Sequence, residues 1–216
     1  MNVYYNKIRN KSISTIILGI GMIVVGGYMA WNYTLGANAH AKDHTAIALL
    51  FAAGVLLGAY VLYASFRSVQ ILKKNMKKLG VSESEVAEDL NQGYDYAKCN
   101  VGKRYALKCS GRPDVVVLEG ALVVYPEIHV TNKNGYSYYN YQVFVTERSG
   151  KEKYLDAEDE AEMGQIVNRI MEIVPYAITQ NDNVVQELRK KNLAELVRIV
   201  EERKANYNNE LSEEVK

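Results

Sequence analysis

Three groups of residues in this chain are of types that do chemistry, and each is read first for what it could catalyse or bind. Cys109 and His129 are a thiol and an imidazole, the pair a nucleophile and its base would need, and both fall on expected strands. Nothing nearby suggests an oxyanion donor or an orienting carboxylate, and a small buried thiol is the commoner use of cysteine. His40 and His44 flank Asp43 at i, i+4, a spacing that would bring both imidazoles to one metal if the segment were helical. The alternative is a solvated turn with nothing rigid to fix the ligands. Asp156, Glu158 and Glu160 alternate as in a calcium loop but lack the glycine its turn requires, and helix capping accounts for them. These readings predict a chain that is not an enzyme and carries no metal and no cofactor.

Two further groups suit binding. Tyr136, Tyr138, Tyr139 and Tyr141 crowd one expected hairpin. Alternation puts Tyr139, Tyr141, Val143 and Val145 on one face and Tyr138 and Phe144 on the other. Such tyrosines either fill a core or, where exposed, anchor a protein partner. Lys73, Lys74, Lys77 and Lys78 line one side of an amphipathic segment, Arg67–Leu79, whose other side is Val69, Leu72, Met76 and Leu79. Lysines so placed can contact the headgroups of anionic lipid.

The elements that position these groups begin with two uncharged apolar runs, Ile13–Tyr33 and Thr45–Phe66. Each is about 21 residues, enough to cross a ~30 Å hydrocarbon core as helix. An N-terminal transmembrane helical hairpin is therefore expected over residues 1–66. Lys7, Arg9 and Lys11 precede the first run, and the lysine-rich segment follows the second, while the turn between them carries Lys42 offset by Asp43. The positive-inside rule then places both termini in the cytoplasm. Ala37-Asn38-Ala39 resembles a signal-peptidase site, but the first run is longer than the ~7–15 residues of a signal's apolar region. Gly54-x-x-x-Gly58, with Gly26-x-x-x-Ala30 as its weaker counterpart, marks where helices could close on one another, within the hairpin or between chains.

The net charge of +1 conceals an asymmetry. Beyond Phe66 there are 22 basic and 24 acidic residues, and with Arg67, Lys73, Lys74, Lys77 and Lys78 set beside the membrane the remainder is net −7. So acidic a surface repels phosphate backbones, which argues against nucleic acid. Cys99 and Cys109 would be reduced thiols on that side of the membrane.

After Gly80, Ser82-x-x-Glu85 reads as a capping box for a neck helix over Glu83–Gln92, so that 67–100 forms a juxtamembrane and neck region. From about Val101 the period changes to two. Strands are expected at Lys103–Ser110, Asp114–Leu118, Leu122–Thr131, Ser137–Glu147 and Lys151–Leu155, with turns at Asn132-Lys-Asn-Gly135 and Arg148-Ser-Gly150. Asp156 is expected to cap a helix whose stripe is Met163, Ile166, Val167, Ile170, Ile173 and Val174. Strands in succession and then one amphipathic helix mean an α+β domain, a small antiparallel sheet with a packed helix, over 101–180. A C-terminal amphipathic helix from Asp182 to about Asn206 lies in the last segment, 181–216, with docking on its own domain or a partner helix as its two uses.

Within this order, Gly102-Lys-Arg-Tyr-Ala-Leu107, then Val115-Val-Val-Leu-Glu119 leading into Leu122-Val-Val-Tyr125, resembles the cytoplasmic part of small uncharacterised bacterial membrane proteins. Those proteins have two N-terminal spans and a pleckstrin-homology-like (PH-like) module. The resemblance covers residues 12–180 and implies that fold and a plasma-membrane location. It carries over no catalytic residue, and five expected strands fall short of the roughly seven in a full module. The hairpin, the lysine face beside it and the missing catalytic set point to a non-enzymatic membrane protein presenting this PH-like interaction module at the inner leaflet. Its partners would be membrane lipids and a protein partner or a second copy of itself. The alternatives are an anionic-lipid sensor and an accessory subunit of a transport or secretion complex.

Overall fold

The computed structural model describes residues 3–34, 44–179 and 193–214. The turn with Ala37–Ala39, His40, Lys42 and Asp43 lies outside them, as do the side chains of Ala30 and His44 and the expected start of the tail helix at Asp182. The chain divides into two compact units, Met1–Lys74 and Asn75–Lys216.

The first unit holds helix α1 (Val3–Thr34) and most of α2 (His44–Leu79). Large apolar side chains stand exposed on both, among them Leu18, Val24, Trp31, Leu56 and Tyr60. Among the described residues Ala52–Leu79 is long and apolar enough to cross a membrane, and Ile16–Met29 is apolar but shorter. The two helices touch at glycine. A Cβ on Gly58 would lie 2.6 Å from the Gly19 carbonyl oxygen, and one on Gly19 would lie 3.0 Å from the Gly58 carbonyl, whereas Gly54 has open space around it. Gly26 is buried. Gly58→Leu is therefore expected to cost about 1–3 kcal/mol through overpacking. Gly54→Leu should be near neutral, and thermal melts of the two variants in detergent separate these outcomes.

The second unit is α+β. Gly80, at φ +70°, ends α2, and Ser82 caps α3 (Glu83–Asn91) by accepting the Glu85 N–H at 3.1 Å. Four short antiparallel strands follow: β1 (Tyr94–Asp95), β2 (Cys99–Val101), β3 (Tyr105–Lys108) and β4 (Asp114–Val117), adjacent in that order. A second sheet has the order β7-β6-β5-β8, from β5 (Ala121–Lys133), β6 (Tyr136–Glu147), β7 (Glu152–Ala157) and β8 (Ile178–Thr179). The strand count thus corrects the expected five. β1, β2 and β8 are two or three residues long, too short to show a period. β8 also runs parallel to β5, so the second sheet is mixed.

Helix α4 (Glu160–Ile173) starts at Asp159, not Asp156. The Asp159 carboxylate accepts the Glu162 N–H at 2.7 Å, while Asp156 continues β7 and pairs with Lys108 at 3.2 Å. Met163, Ile166 and Ile170 of α4 meet Val101, Ala106 and Val116 of the first sheet and Val124, Val143, Val145 and Leu155 of the second in one core. The opposite face of the second sheet is covered near its base by α5 (Leu193–Glu214). There Leu196 and Val200 pack with Leu122, Val123, Tyr125 and Ile178, and Arg148 pairs with Glu201.

Cross-links between elements are polar and partly buried. Lys153 of β7 reaches Glu147 at 2.9 Å and the Val115 carbonyl of β4 at 2.5 Å, tying the sheets together. The Tyr105 hydroxyl donates to Glu85 at 2.8 Å, joining β3 to α3. Burial, and then this hydrogen bond, raise the Tyr105 pKa above the ordinary 10.0. The folded state therefore holds that proton more tightly than the unfolded chain. Its contribution is complete below the unfolded pKa and is lost as pH rises through the folded one. Denaturant midpoints followed from about pH 8 to about pH 11 should fall at the alkaline end, and less so in Tyr105→Phe.

Candidate functional site

The longest strands among the described residues, β5 and β6, form a hairpin whose loop is only Asn134-Gly135. Both residues have positive φ, 53° and 79°, as a two-residue type I′ turn requires. Pairing continues without a break from Val123↔Thr146 to Lys133↔Tyr136. Among the described residues β8 accompanies β5 at Val123 and Val124, and β7 accompanies β6 from Tyr141 to Thr146. Beyond those pairs, among the described residues, the hairpin runs on as a two-stranded ribbon, from His129 to Lys133 on one strand, a reach of about 16 Å at ~3.3 Å per residue.

Burial changes at the same place. Residues 121–125 are buried, whereas 128–140 are exposed throughout. Val130 is 52% exposed, Tyr136 71%, Tyr138 55% and Tyr139 56%. Three of the four tyrosines singled out by sequence are therefore on the surface, and the fourth, Tyr141, is half-buried at the core's edge. Registered pairs share a face. Val130↔Tyr139 and Ile128↔Tyr141 lie on the face that continues from Val143 and Val145 in the core. Tyr139 and Tyr141 stack there with ring centroids 6.5 Å apart. Lys133↔Tyr136 and Thr131↔Tyr138 lie on the other face, in line with His129 and Phe144. Toward the base that face becomes an aromatic row across three strands, Tyr125 to Phe144 at 5.3 Å and Phe144 to Tyr154 at 5.6 Å.

Ile128 and Val130 were not among the residues the sequence pointed to. Their signal was available: an uninterrupted β5–β6 pairing makes them the neighbours of Tyr141 and Tyr139.

The remaining candidates are placed as follows. Lys73, Lys74, Lys77 and Lys78 are exposed along α2, while Met76 is buried. His129 sits on the ribbon, 3.6 Å from Glu127 and edge-on to Phe144 at 5.8 Å. Cys109 follows β3, its N–H donating to the Lys98 carbonyl at 2.8 Å, and its thiol lies 3.8 Å from the Leu107 carbonyl. Cys99 is buried in the core. Asp156 accepts from Gln142 at 2.9 Å and from Ser110, in addition to its Lys108 partner. Lys108 is in turn 3.3 Å above the Tyr154 ring. This cluster joins β3, β6 and β7, and its carboxylate is satisfied by structural partners. Among the described residues no group of three or more His, Cys, Asp or Glu could hold a metal ion.

No curated protein and no solved structure matches the chain. The model of a family described as a domain of unknown function, DUF6709, matches residues 67–189, a span that includes the lysine-rich end of α2, both sheets and the ribbon, and the chain belongs to that family.

Proposed function

We propose that this chain is a non-enzymatic integral membrane protein that presents an interaction module at the inner leaflet, with the β5–β6 ribbon as its contact surface. The observation that carries the functional part is the run of exposed apolar and aromatic residues on a ribbon that has left its own core behind. An isolated two-stranded ribbon is marginal in water. Apolar side chains gathered on one projecting element are what an interaction site exposes.

The membrane part is supported by the exposed apolar side chains of α1 and α2 and by the charge-free runs within them. In this reading both helices span the bilayer of a bacterial plasma membrane, joined outside, with both termini in the cytoplasm. A PH-like module is supported by the order of elements: seven strands in two sheets, then one amphipathic helix closing the core between them. Lys73, Lys74, Lys77 and Lys78 would hold the end of α2 against anionic headgroups.

The test is photo-crosslinking in native membranes from a probe at Tyr139. A discrete adduct, to lipid or to protein, that disappears in Val130→Asp is expected. Absence of any adduct, with identical fractionation of wild type and Val130→Asp, would remove the ribbon as a contact surface.

A further inference from the structure

We infer that the ribbon's occupant is the bilayer itself: its tip, Ile128–Tyr141, immerses in the headgroup zone of an anionic membrane. The inference rests on the ribbon being the contact surface and names what it contacts. Exposed apolar and aromatic groups stand on both faces, with Ile128, Val130 and Tyr139 on one and Tyr136 and Tyr138 on the other. A protein lying on one face would leave the other in water. A bilayer interface surrounds both.

Charge selects the same occupant. Between Glu127 and Glu147 the chain has no Asp or Glu, although 24 acidic residues lie beyond Phe66. Lys133 is the only basic residue of that stretch apart from His129. Beyond the lysines at the end of α2, an anionic surface therefore attracts the tip through Lys133 and repels the net-acidic remainder.

The backbone sets the depth. Both edges of the ribbon beyond Val124 and before Tyr141 lack a second neighbouring strand among the described residues. Open strand edges are excluded from hydrocarbon, where their N–H and C=O groups find no partner. The headgroup zone supplies water and phosphate oxygens, and it is where tyrosine places its ring toward the acyl chains and its hydroxyl toward the polar side. The tip lies at that level and goes no deeper.

The test uses the full-length chain in nanodiscs of phosphatidylcholine with or without about one-third phosphatidylglycerol. The sequence has one tryptophan, so Trp31→Phe combined with Tyr138→Trp places a single indole on the ribbon. Quenching by lipids brominated near the headgroup, together with shielding from aqueous acrylamide, is expected in the anionic discs. Adding Lys133→Glu should lower the ratio of immersed to free ribbon roughly fivefold or more. An indole open to acrylamide and untouched by brominated lipid overturns the inference. An indole shielded from acrylamide yet untouched by brominated lipid also overturns it, and shows that a second copy or another protein covers a surface that is still a contact. Full accessibility here, with native-membrane crosslinks unaltered by Val130→Asp, overturns the inference and the contact-surface reading together.

Discussion

Asp89→Ala is expected to lower the melting midpoint of the folded unit by roughly 10 °C, from a loss of about 3 kcal/mol or more. The Asp89 carboxylate at the end of α3 accepts three successive backbone N–H groups, from Lys103 at 3.2 Å, Arg104 at 3.0 Å and Tyr105 at 2.9 Å. Those donors form the turn from β2 into β3 and face the carboxylate together, as in an anion-binding nest. Lys103 and Arg104 are exposed and water can reach their amides, but Tyr105 is buried, and its orphaned N–H carries much of the loss. The fit is close: a Cβ on Gly102 would lie 2.1 Å from the Asp89 carboxylate, so Gly102→Ala should destabilise by the same route. Asp89→Asn keeps one acceptor oxygen but turns an amide donor toward other donors, so its midpoint should fall between those of the alanine variant and wild type. Thermal melts by near-ultraviolet circular dichroism rank the three. Equal midpoints for Asp89→Ala and wild type would show that the turn is held by something else.

Lys153→Ala should cost a similar amount, about 3–5 kcal/mol, because it removes the cation from a nearly buried pair. The Lys153 and Glu147 side chains are 13% and 9% exposed, and the same ammonium serves the Val115 carbonyl. What is lost is less the attraction of the pair than the cost of leaving Glu147 charged in a place water barely reaches. The Val117 N–H, 3.4 Å from Glu147, is too distant to compensate. Lys153→Met combined with Glu147→Leu should therefore recover most of the stability that Lys153→Met alone forfeits. A double-mutant cycle in urea measures this, and additive losses would contradict it.

How far the sequence could be read depended on the range of each interaction. The Asn134-Gly135 turn, the Ser82 cap and the α4 stripe are local matters of backbone geometry and period, and each can be seen in the residues themselves. Asp156 was misplaced as a cap because four carboxylates in five residues, Asp159 among them, look alike. Contacts distant in sequence, the backbone pairing with Gln142 and the side chains of Lys108 and Ser110, decide that Asp156 belongs to the sheet. β1 and β8 exist because neighbours supply their hydrogen bonds, which no two-residue window can reveal. The tyrosines show the limit most clearly. Alternation assigns Tyr139 and Val143 to one face, but whether that face is core depends on where the first sheet and α4 stop covering it. That boundary falls near Tyr141, leaving one half of a uniform strand buried and the other in the open.

Both the contact surface and its bilayer occupant require the apolar first third of the chain to lie in a bilayer with the folded unit on its inner side. Trypsin applied to intact cells and to inverted membrane vesicles tests this most directly. Sites beyond Phe66 are expected to be cut in the vesicles and spared in the cells, with the whole chain sedimenting with membranes beforehand. Cleavage of the folded unit in intact cells, or recovery of the full-length chain from the soluble fraction, would contradict it.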